Sequence, residues 1–253
     1  MDRTHIEWTD ATWNPVTGCS KVSPGCANCY AARMARRLQA TGTPRYARGF
    51  SVATHPDALH IPLEWSRPRM VFVNSMSDLF HEEVPDSFIR DVFDVMGLAR
   101  QHVFQVLTKR DERLRTLGSE LPWHGNVWVG VSVETAAQLA RLDNLRRVDG
   151  AVRFASFEPL LGPLGTIDLT GLGWIIVGGE SGPGARPMLH EWAAGVRDQC
   201  LDAGVPFFFK QWGGPRRKRA GRLLDGQEWS QIPTLAATAH PPVASAISSS
   251  AVH

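Results

Sequence analysis

Six short apolar segments recur along the chain, and their spacing limits the folds that the chain can adopt. Each segment is rich in β-branched or aromatic residues and has a near-continuous apolar character, which is typical of strands buried on both faces of a parallel sheet. The segments are Met70–Asn74, Val103–Leu107, Val127–Val131, Val152–Phe157, Trp174–Val177 and Pro206–Phe209. They predict a buried parallel sheet as the centre of the fold.

Amphipathic stretches separate these segments, so predicted strands and helices alternate. Asp86–Leu98 places apolar residues at helical spacing and follows Pro85, which is a helix start signal. Glu134–Leu145 and Trp192–Ala203 continue the pattern, and Gly204 ends the latter. The alternation is that of βα units, and it predicts an α/β fold, specifically a partial (β/α)6 TIM-like barrel.

Three regions of different composition follow one another along the chain. We expect residues 1–213 to form the barrel together with an N-terminal cysteine-containing loop. The basic run Arg216–Arg219 marks a C-terminal extension over residues 214–235. Residues 236–253 are mostly Ala, Ser, Pro, Val and Thr without a helical period, and we predict a disordered tail there.

Polar side chains follow every predicted strand. In α/β barrels the active site lies at the carboxyl ends of the strands, so these residues are candidates for catalysis or binding. In chain order they are Asn74, Ser75, Ser77 and Asp78, then Thr108 and Lys109, Ser132 and Glu134, Ser156 and Glu158, Gly178, Gly179 and Glu180, and Lys210 and Gln211. Six strand ends of this kind predict a polar catalytic mouth.

Three of the four cysteines fall within eleven positions, in the pattern C-x6-C-x2-C formed by Cys19, Cys26 and Cys29. Four cysteines are too few for a disulfide scaffold in 253 residues, and the clustering of three of them argues against one. Three thiolates fit a [4Fe–4S] cluster that keeps one iron open for a substrate or cofactor. The alternatives are three free thiols or a Zn²⁺ ion. A structural zinc needs a fourth ligand, for which His5, His55 and His60 are candidates, whereas we expect Cys200 to pack in the core.

The cysteine triad before the first predicted helix, followed by about six βα units, resembles the radical S-adenosylmethionine (SAM) superfamily. Within it the sequence is similar to the spore photoproduct lyase-like group. The segments that carry this resemblance are the Ser/Thr-Asp strand end of Val71–Phe80, the LTK strand end of Val106–Lys109 and the strand end at Val131–Val133. Over residues 7–213 the chain also resembles the uncharacterised phage Gp37/Gp68 family, through Thr12–Cys19, Gln105–Arg110, Phe157–Gly162 and Val177–Gly182.

The resemblance implies a chemistry. Cys19, Cys26 and Cys29 would ligate three irons of a [4Fe–4S] cluster, and the fourth iron would bind SAM. An electron from the cluster would then cleave SAM to methionine and a 5′-deoxyadenosyl radical, which abstracts hydrogen from the substrate.

The resemblance also assigns roles at the strand ends. Ser77 and Asp78 would bind the methionine amino group, and Ser132 and Glu134 the ribose hydroxyls. Ser75 is a further candidate cofactor-binding residue. Lys109 would meet the SAM carboxylate or a substrate phosphate, and is a candidate catalytic residue together with Glu180. Gly178 and Gly179 would approach the adenine or the substrate, unless they form a tight βα turn.

Two features depart from the common radical SAM motif C-x3-C-x2-C. The first gap here has six residues, and Asn28 stands where an aromatic residue usually precedes the third cysteine. Tyr30, directly after that cysteine, becomes the candidate aromatic contact with the cofactor.

Basic and aromatic residues close to the triad suggest a nucleic-acid substrate, with DNA repair or base modification as the predicted activity. The candidate contacts are Arg33, Arg36, Arg37, Arg216 and Arg217. An electron donor such as a flavodoxin or a ferredoxin would be a further partner. The alternatives are a radical SAM-like enzyme acting on a small molecule or peptide, and a non-enzymatic iron–sulfur or zinc module that works with a partner protein.

Composition narrows the class of protein further. No run of 18 apolar residues is present, so we expect no membrane span. The N-terminal residues lack the apolar region of a signal peptide, which favours a cytoplasmic protein. A formal net charge of +2 neither requires nor excludes a nucleic-acid partner.

Overall fold

The computed structural model describes Thr4, residues 6–216 and residues 219–234. These residues form eleven strands and five α-helices. In chain order they are β1 (Ala11–Trp13), β2 (Val16–Thr17), α1 (Tyr30–Ala40), β3 (Ala53–Thr54), β4 (Met70–Val73), α2 (Asp86–Leu98), β5 (Val103–Thr108), α3 (Asp111–Gly118), β6 (Val127–Ser132), α4 (Arg141–Leu145), β7 (Val152–Phe157), β8 (Trp174–Gly178), α5 (His190–Asp202), β9 (Phe207–Gln211), β10 (Leu223–Leu224) and β11 (Gln227–Glu228). The predicted disordered tail lies outside the described residues.

A curled, parallel sheet of seven strands is the centre of the described structure, in the order β1-β4-β5-β6-β7-β8-β9. Neighbouring strands of this sheet are also consecutive along the chain, except that β2 and β3, which pair with each other, lie between β1 and β4 in the sequence. This is the topology of a half-barrel built from βα units, so the predicted α/β fold class is confirmed. The carboxyl ends of all seven strands therefore lie along one rim.

The sheet has one strand more than the sequence predicted. Edge strand β1 is only three residues long and pairs with β4, placing Ala11 beside Val71 and Trp13 beside Val73. Thr12 interrupts its apolar character, so no continuous apolar run marks it. The six predicted segments all form strands, with ends that differ by at most two residues.

Helix α2 has the predicted bounds, whereas the helix predicted over Glu134–Leu145 is wrong in its first half. That half contains a 3₁₀ turn at Ala136–Gln138, and helix α4 begins only at Arg141. The main-chain carbonyl of Glu134 accepts a hydrogen bond from the Leu161 amide (2.8 Å), so it is not used in a helix. A long-range contact therefore overrides the local apolar spacing.

Apolar residues pack on both faces of the sheet. On the outer face the strands contact the helices, and Cys200 of α5 is fully buried there, as predicted. Burial raises the pKa of the Cys200 thiol to about 12. On the inner face an aromatic cluster, formed by Trp8, Trp128, Phe154, Trp174 and Phe208 with Ile176, fills the half-barrel.

Strands β10 and β11 form a hairpin that packs against β9, the last strand of the sheet. Its turn residues Asp225 and Gly226 have φ values of 55° and 75°, the left-handed conformation that such a turn requires. The Phe209 amide donates a hydrogen bond to the Trp229 carbonyl at 2.9 Å. No helix among the described residues combines the length and the apolar character needed to cross a membrane.

Replacing Trp174 by alanine tests the inner aromatic cluster. The Trp174 ring lies 5.7–6.1 Å from the rings of Trp8, Trp128, Phe154 and Phe208. We expect Trp174→Ala to lower the free energy of unfolding by about 3–5 kcal/mol, because a buried ring leaves a cavity. The control Leu98→Ala removes a side chain that is 72% exposed and should cost about 0.5 kcal/mol or less. Equal losses in urea unfolding would contradict this account.

Candidate functional site

The three clustered cysteines lie on a loop between β2 and α1, which we call the cysteine loop (Cys19–Cys29). All three are free and half-buried, and Cys29 is the N-cap residue of α1. Gly18 bridges to Ser77 and starts the loop with a φ of 83°. A Cβ atom at Gly18 would lie 2.1 Å from the Ser51 carbonyl oxygen, so this close approach requires glycine.

The middle of the cysteine loop rests on Glu134, whose side chain is 0% exposed. The Ser23 hydroxyl donates a hydrogen bond to Glu134 Oε1 at 2.6 Å. A Cβ atom at Gly25 would lie 2.5 Å from the same oxygen, so the loop backbone touches the carboxylate. Arg141 donates to Glu134 Oε2 at 3.0 Å, which compensates the buried charge.

The last part of the cysteine loop is held by Glu180, beyond the end of β8. Asn28 Nδ2 donates hydrogen bonds of 2.9 Å to Glu180 Oε2 and to the Gly184 carbonyl. Arg186 contacts both Glu180 oxygens, at 2.9 and 2.6 Å, and also donates to the Pro24 carbonyl at 2.9 Å. Asn28 therefore connects the cysteine loop to the rim.

The Glu180 carboxyl stays ionised to a lower pH than an ordinary glutamate. Burial by itself would raise its pKa, but hydrogen bonds from Arg186 and Asn28 outweigh that cost and lower the pKa to about 2. The sequence predicted Glu180 as a catalytic residue. In the structure its carboxylate is occupied by contacts that fasten the cysteine loop.

The first part of the cysteine loop contacts Arg110, directly after the LTK motif. Arg110 Nη2 lies 2.8 Å from the Ser20 hydroxyl oxygen and 3.9 Å from Cys19 Sγ. The pKa of the Cys19 thiol is raised to about 11 by burial and by the charge of Asp78, against the opposing effect of Arg110. Ser20 also contacts His81 at 2.9 Å.

Asp78 fixes the turn that carries this arginine. Its carboxylate accepts hydrogen bonds from the Thr108 hydroxyl (2.7 Å), the Lys109 amide (3.0 Å) and the Phe80 amide (3.0 Å). The Thr108 hydroxyl in turn accepts from the Arg110 amide at 2.9 Å. A carboxylate has about four acceptor positions, so Asp78 keeps capacity for one more donor.

The remaining predicted cofactor-binding residues lie on the same rim. The Ser75 hydroxyl donates to Asn14 at 3.2 Å, and the Ser77 hydroxyl donates to the Val16 carbonyl at 2.8 Å. Ser132 ends β6 and is buried. Lys109 Nζ lies 3.9 Å from Glu134 Oε1, with about a quarter of its side chain exposed.

Gly178 and Gly179 pack closely against neighbouring strand ends. A Cβ atom at Gly179 would lie 1.9 Å from the Trp212 carbonyl oxygen, and one at Gly178 would lie 3.1 Å from the Glu158 carboxyl carbon. Glu158 in turn accepts a hydrogen bond of 2.6 Å from Lys210. The backbone contact therefore requires glycine at position 179, whereas Gly178 meets only a side chain.

The predicted nucleic-acid contacts separate into two groups. The Arg33 guanidinium donates to the carbonyls of Ser181 (2.7 Å) and Pro183 (3.3 Å), so it fastens α1 to the loop after β8. Arg36, Arg37 and Arg216 are exposed, and within the described residues their side chains have no hydrogen bond or ion pair. Arg217 lies outside the described residues. Tyr30 is half exposed at the start of α1.

Among the residues that the structure describes, no three His, Cys, Asp or Glu side chains lie close enough together to bind a single metal ion. Of the histidines proposed for zinc, His55 is 2.8 Å from the Thr17 hydroxyl and His60 is 3.3 Å from Glu64. His5 lies outside the described residues. A [4Fe–4S] cluster takes each thiolate on a different iron, so its three sulfurs stand further apart than the ligands of one ion.

Sequence reasoning missed five residues that organise this site: Ser23, Asn28, Arg110, Arg141 and Arg186. Only Asn28 and Ser23 stand within the cysteine motif, and Arg110 follows the LTK motif directly. Arg141 and Arg186 carry no signal of their own in the sequence.

One family profile matches almost the whole chain. It covers residues 3–233 and is described as "Protein of unknown function (DUF5131)". This description does not include the phage Gp37/Gp68 name, so that resemblance stays a prediction. No curated protein matches the sequence.

Three solved structures similar to the chain are all of spore photoproduct lyase. A cysteine-to-alanine mutant with dinucleoside spore photoproduct is 15% identical, with a TM-score of 0.43, over 64% of this chain and 54% of the lyase. A complex with the same compound is 14% identical, with a TM-score of 0.41 and the same coverage. A double mutant with bound AdoMet is 14% identical, with a TM-score of 0.45, over 70% of this chain and 57% of the lyase. The chain spans little more than half of each lyase chain.

The pH dependence of stability tests the contacts of Glu180. Its pKa in the folded protein, about 2, lies below the ordinary value of 4.5, so its contribution to stability is fully present above pH 4.5 and is lost as the pH falls towards 2. We expect Glu180→Gln to be less stable at pH 7 and to lose less stability than the parent between pH 4.5 and 3. Glu191→Gln, at an exposed position, is the control. Parallel stability curves for parent and Glu180→Gln in urea unfolding would contradict the assignment.

Proposed function

The chain belongs to the DUF5131 family of proteins of unknown function, and we propose that it is a radical SAM-like enzyme. Its [4Fe–4S] cluster would be held by Cys19, Cys26 and Cys29. The observation that carries this proposal is the position of the cysteine loop, which places three free thiols over the carboxyl ends of a curled parallel sheet. Active sites of α/β barrels lie at that end of the strands.

The donor set fits such a cluster. Thiolates are the ligands that iron–sulfur clusters take, and three of them leave one iron open. When bound and reduced, a cluster of this kind supplies the electron that cleaves SAM and so starts hydrogen abstraction from a substrate. The long first gap of the motif is held in place, because Ser23 and Gly25, which lie within it, contact Glu134.

The rim residues would hold the loop and the cofactor in different ways. We propose that Glu134 and Glu180 act mainly by fastening the loop, because their carboxylates already contact arginines and loop residues. The Lys109 side chain remains partly exposed on the rim, and we assign its ammonium group to the SAM carboxylate. Asp78 has one acceptor position left, which fits the methionine amino group.

We further propose a nucleic-acid substrate, and an electron donor such as a flavodoxin or ferredoxin. The support for nucleic acid is the exposed pair Arg36 and Arg37 on α1, the helix that the third cysteine caps. Arg48 is also exposed, in a turn whose Ala47 carbonyl accepts a hydrogen bond from Gln39 of the same helix (3.2 Å). Among the described residues these guanidinium groups have no ion pair, and α1 begins at the half-exposed Tyr30, a combination that suits phosphate binding and base stacking.

Cysteine variants test the cluster directly. We expect anaerobically reconstituted protein to be brown, to bind about four irons per chain and to cleave SAM when reduced with dithionite. Alanine at Cys19, Cys26 or Cys29 should abolish both the colour and the cleavage. Cys200→Ala is the matched control, because Cys200 is buried in α5 and should be dispensable for iron. A colourless protein with one zinc per chain would overturn the proposal in favour of a zinc module.

Charge-neutralising variants of α1 test the substrate class. We expect Arg36→Gln with Arg37→Gln to weaken binding to single-stranded DNA and to reduce the slope of log K against log salt by about 0.7 per lost phosphate contact. The matched control replaces Arg115, in α3, and Arg147, two residues after α4, by glutamine. Both side chains are exposed. Full SAM cleavage without any salt-dependent DNA or RNA affinity would favour a small molecule or peptide as the substrate.

A further inference from the structure

Arg110 is a positively charged residue that contacts a cysteine sulfur. Its Nη2 atom lies 3.9 Å from Cys19 Sγ and also donates to the Ser20 carbonyl at 3.3 Å and the Ser20 hydroxyl at 2.8 Å. Nη1 donates to Glu82. Within the described residues, no other hydrogen bond joins a charged group to a cysteine sulfur, and Cys26 meets only the neutral hydroxyl of Ser23 at 3.9 Å.

Hydrogen bonds hold the backbone that carries the Arg110 side chain. Thr108 accepts a hydrogen bond from the Arg110 amide, and Asp78 binds both Thr108 and the Lys109 amide. The Arg110 side chain is only 10% exposed, and its Nε atom is buried without a hydrogen-bond partner among the described residues. The arginine is therefore held in place as part of the rim.

A thiolate in this position needs such a partner. Cluster ligation requires the deprotonated sulfur, and a buried anion is costly unless it is paired and hydrogen-bonded. Hydrogen bonds from charged donors are about twice as strong as neutral ones. Hydrogen bonds to the sulfurs of an iron–sulfur cluster are among the factors that set its reduction potential.

We propose that Arg110 is a positioning residue that binds the Cys19 thiolate and raises the reduction potential of the cluster. This inference rests on the proposed function, since it concerns the cluster assigned there. The physical reason is that reduction adds negative charge to the cluster, and a fixed positive charge beside one ligand stabilises the reduced state more than the oxidised state.

Redox titration followed by electron paramagnetic resonance tests the proposal on the reconstituted full chain. At a fixed potential we expect Arg110→Gln to lower the ratio of reduced to oxidised cluster about tenfold, which corresponds to about 59 mV for one electron. Arg110→Lys should have a smaller effect, because it keeps the charge but loses the planar fork.

Two further variants keep the test independent of any folding defect in Arg110→Gln. Glu82→Gln removes the anion that partly neutralises Arg110, at a side chain that is 61% exposed, and it should raise the potential. Arg146→Gln removes an arginine paired with Asp143 and Asp168 away from the cysteine loop, and it should leave the potential unchanged.

The outcomes separate this inference from the proposed function. If Arg110→Gln and Glu82→Gln hold iron and have the potential of the parent, the role of Arg110 is overturned while the cluster assignment stands. If Arg110→Gln holds no iron, the potential of Glu82→Gln decides, and an unchanged value again overturns the role. A parent protein that binds no iron overturns both proposals.

Discussion

The contact between the cysteine loop and two buried carboxylates, Glu134 and Glu180, is the interaction on which the rest of the site depends. The loop has little regular secondary structure of its own, so it needs partners outside itself to keep one conformation. Glu134 accepts hydrogen bonds from Ser23 of the loop and from Arg141. Glu180 accepts hydrogen bonds from Asn28 of the loop and from Arg186. Because buried charges are tolerated only when paired, the loop and its arginines stabilise the same two anions.

This arrangement divides the rim residues by task. Asp78, Glu134 and Glu180 are anions whose partners lie within the chain, and they hold turns and loops in place. Lys109 is the rim cation whose ammonium group remains partly exposed, next to the loop and 3.9 Å from Glu134. A rigid rim with an accessible cation suits the binding of an anionic group close to the thiols. Under the proposed function, that group is the SAM carboxylate.

Local patterns predicted the elements well where packing agrees with them. The apolar segments became strands β4 to β9, and helix α2 has the predicted bounds, because both periodicities are properties of a short stretch of chain. The sequence did not predict β1, because a strand of three residues is too short to recognise. The prediction was also wrong for the first half of the helix over Glu134–Leu145. There the Glu134 carbonyl is used by Leu161, and the apolar spacing of a few residues does not reveal such a contact.

The sequence by itself determined the alternation of strands and helices, the spacing of the three cysteines and the polar character of the strand ends. Only the tertiary structure decided what each polar group binds. Ser23 and Glu134 are 111 positions apart, Asn28 and Glu180 are 152 apart, and Cys19 and Arg110 are 91 apart. The physical reason is that propensity and periodicity act over a few residues, whereas these hydrogen bonds form because parallel strands bring distant strand ends to one rim. Glu134, predicted to bind a cofactor, also accepts a hydrogen bond from the cysteine loop, and Arg33, predicted to bind nucleic acid, also connects α1 to the loop after β8.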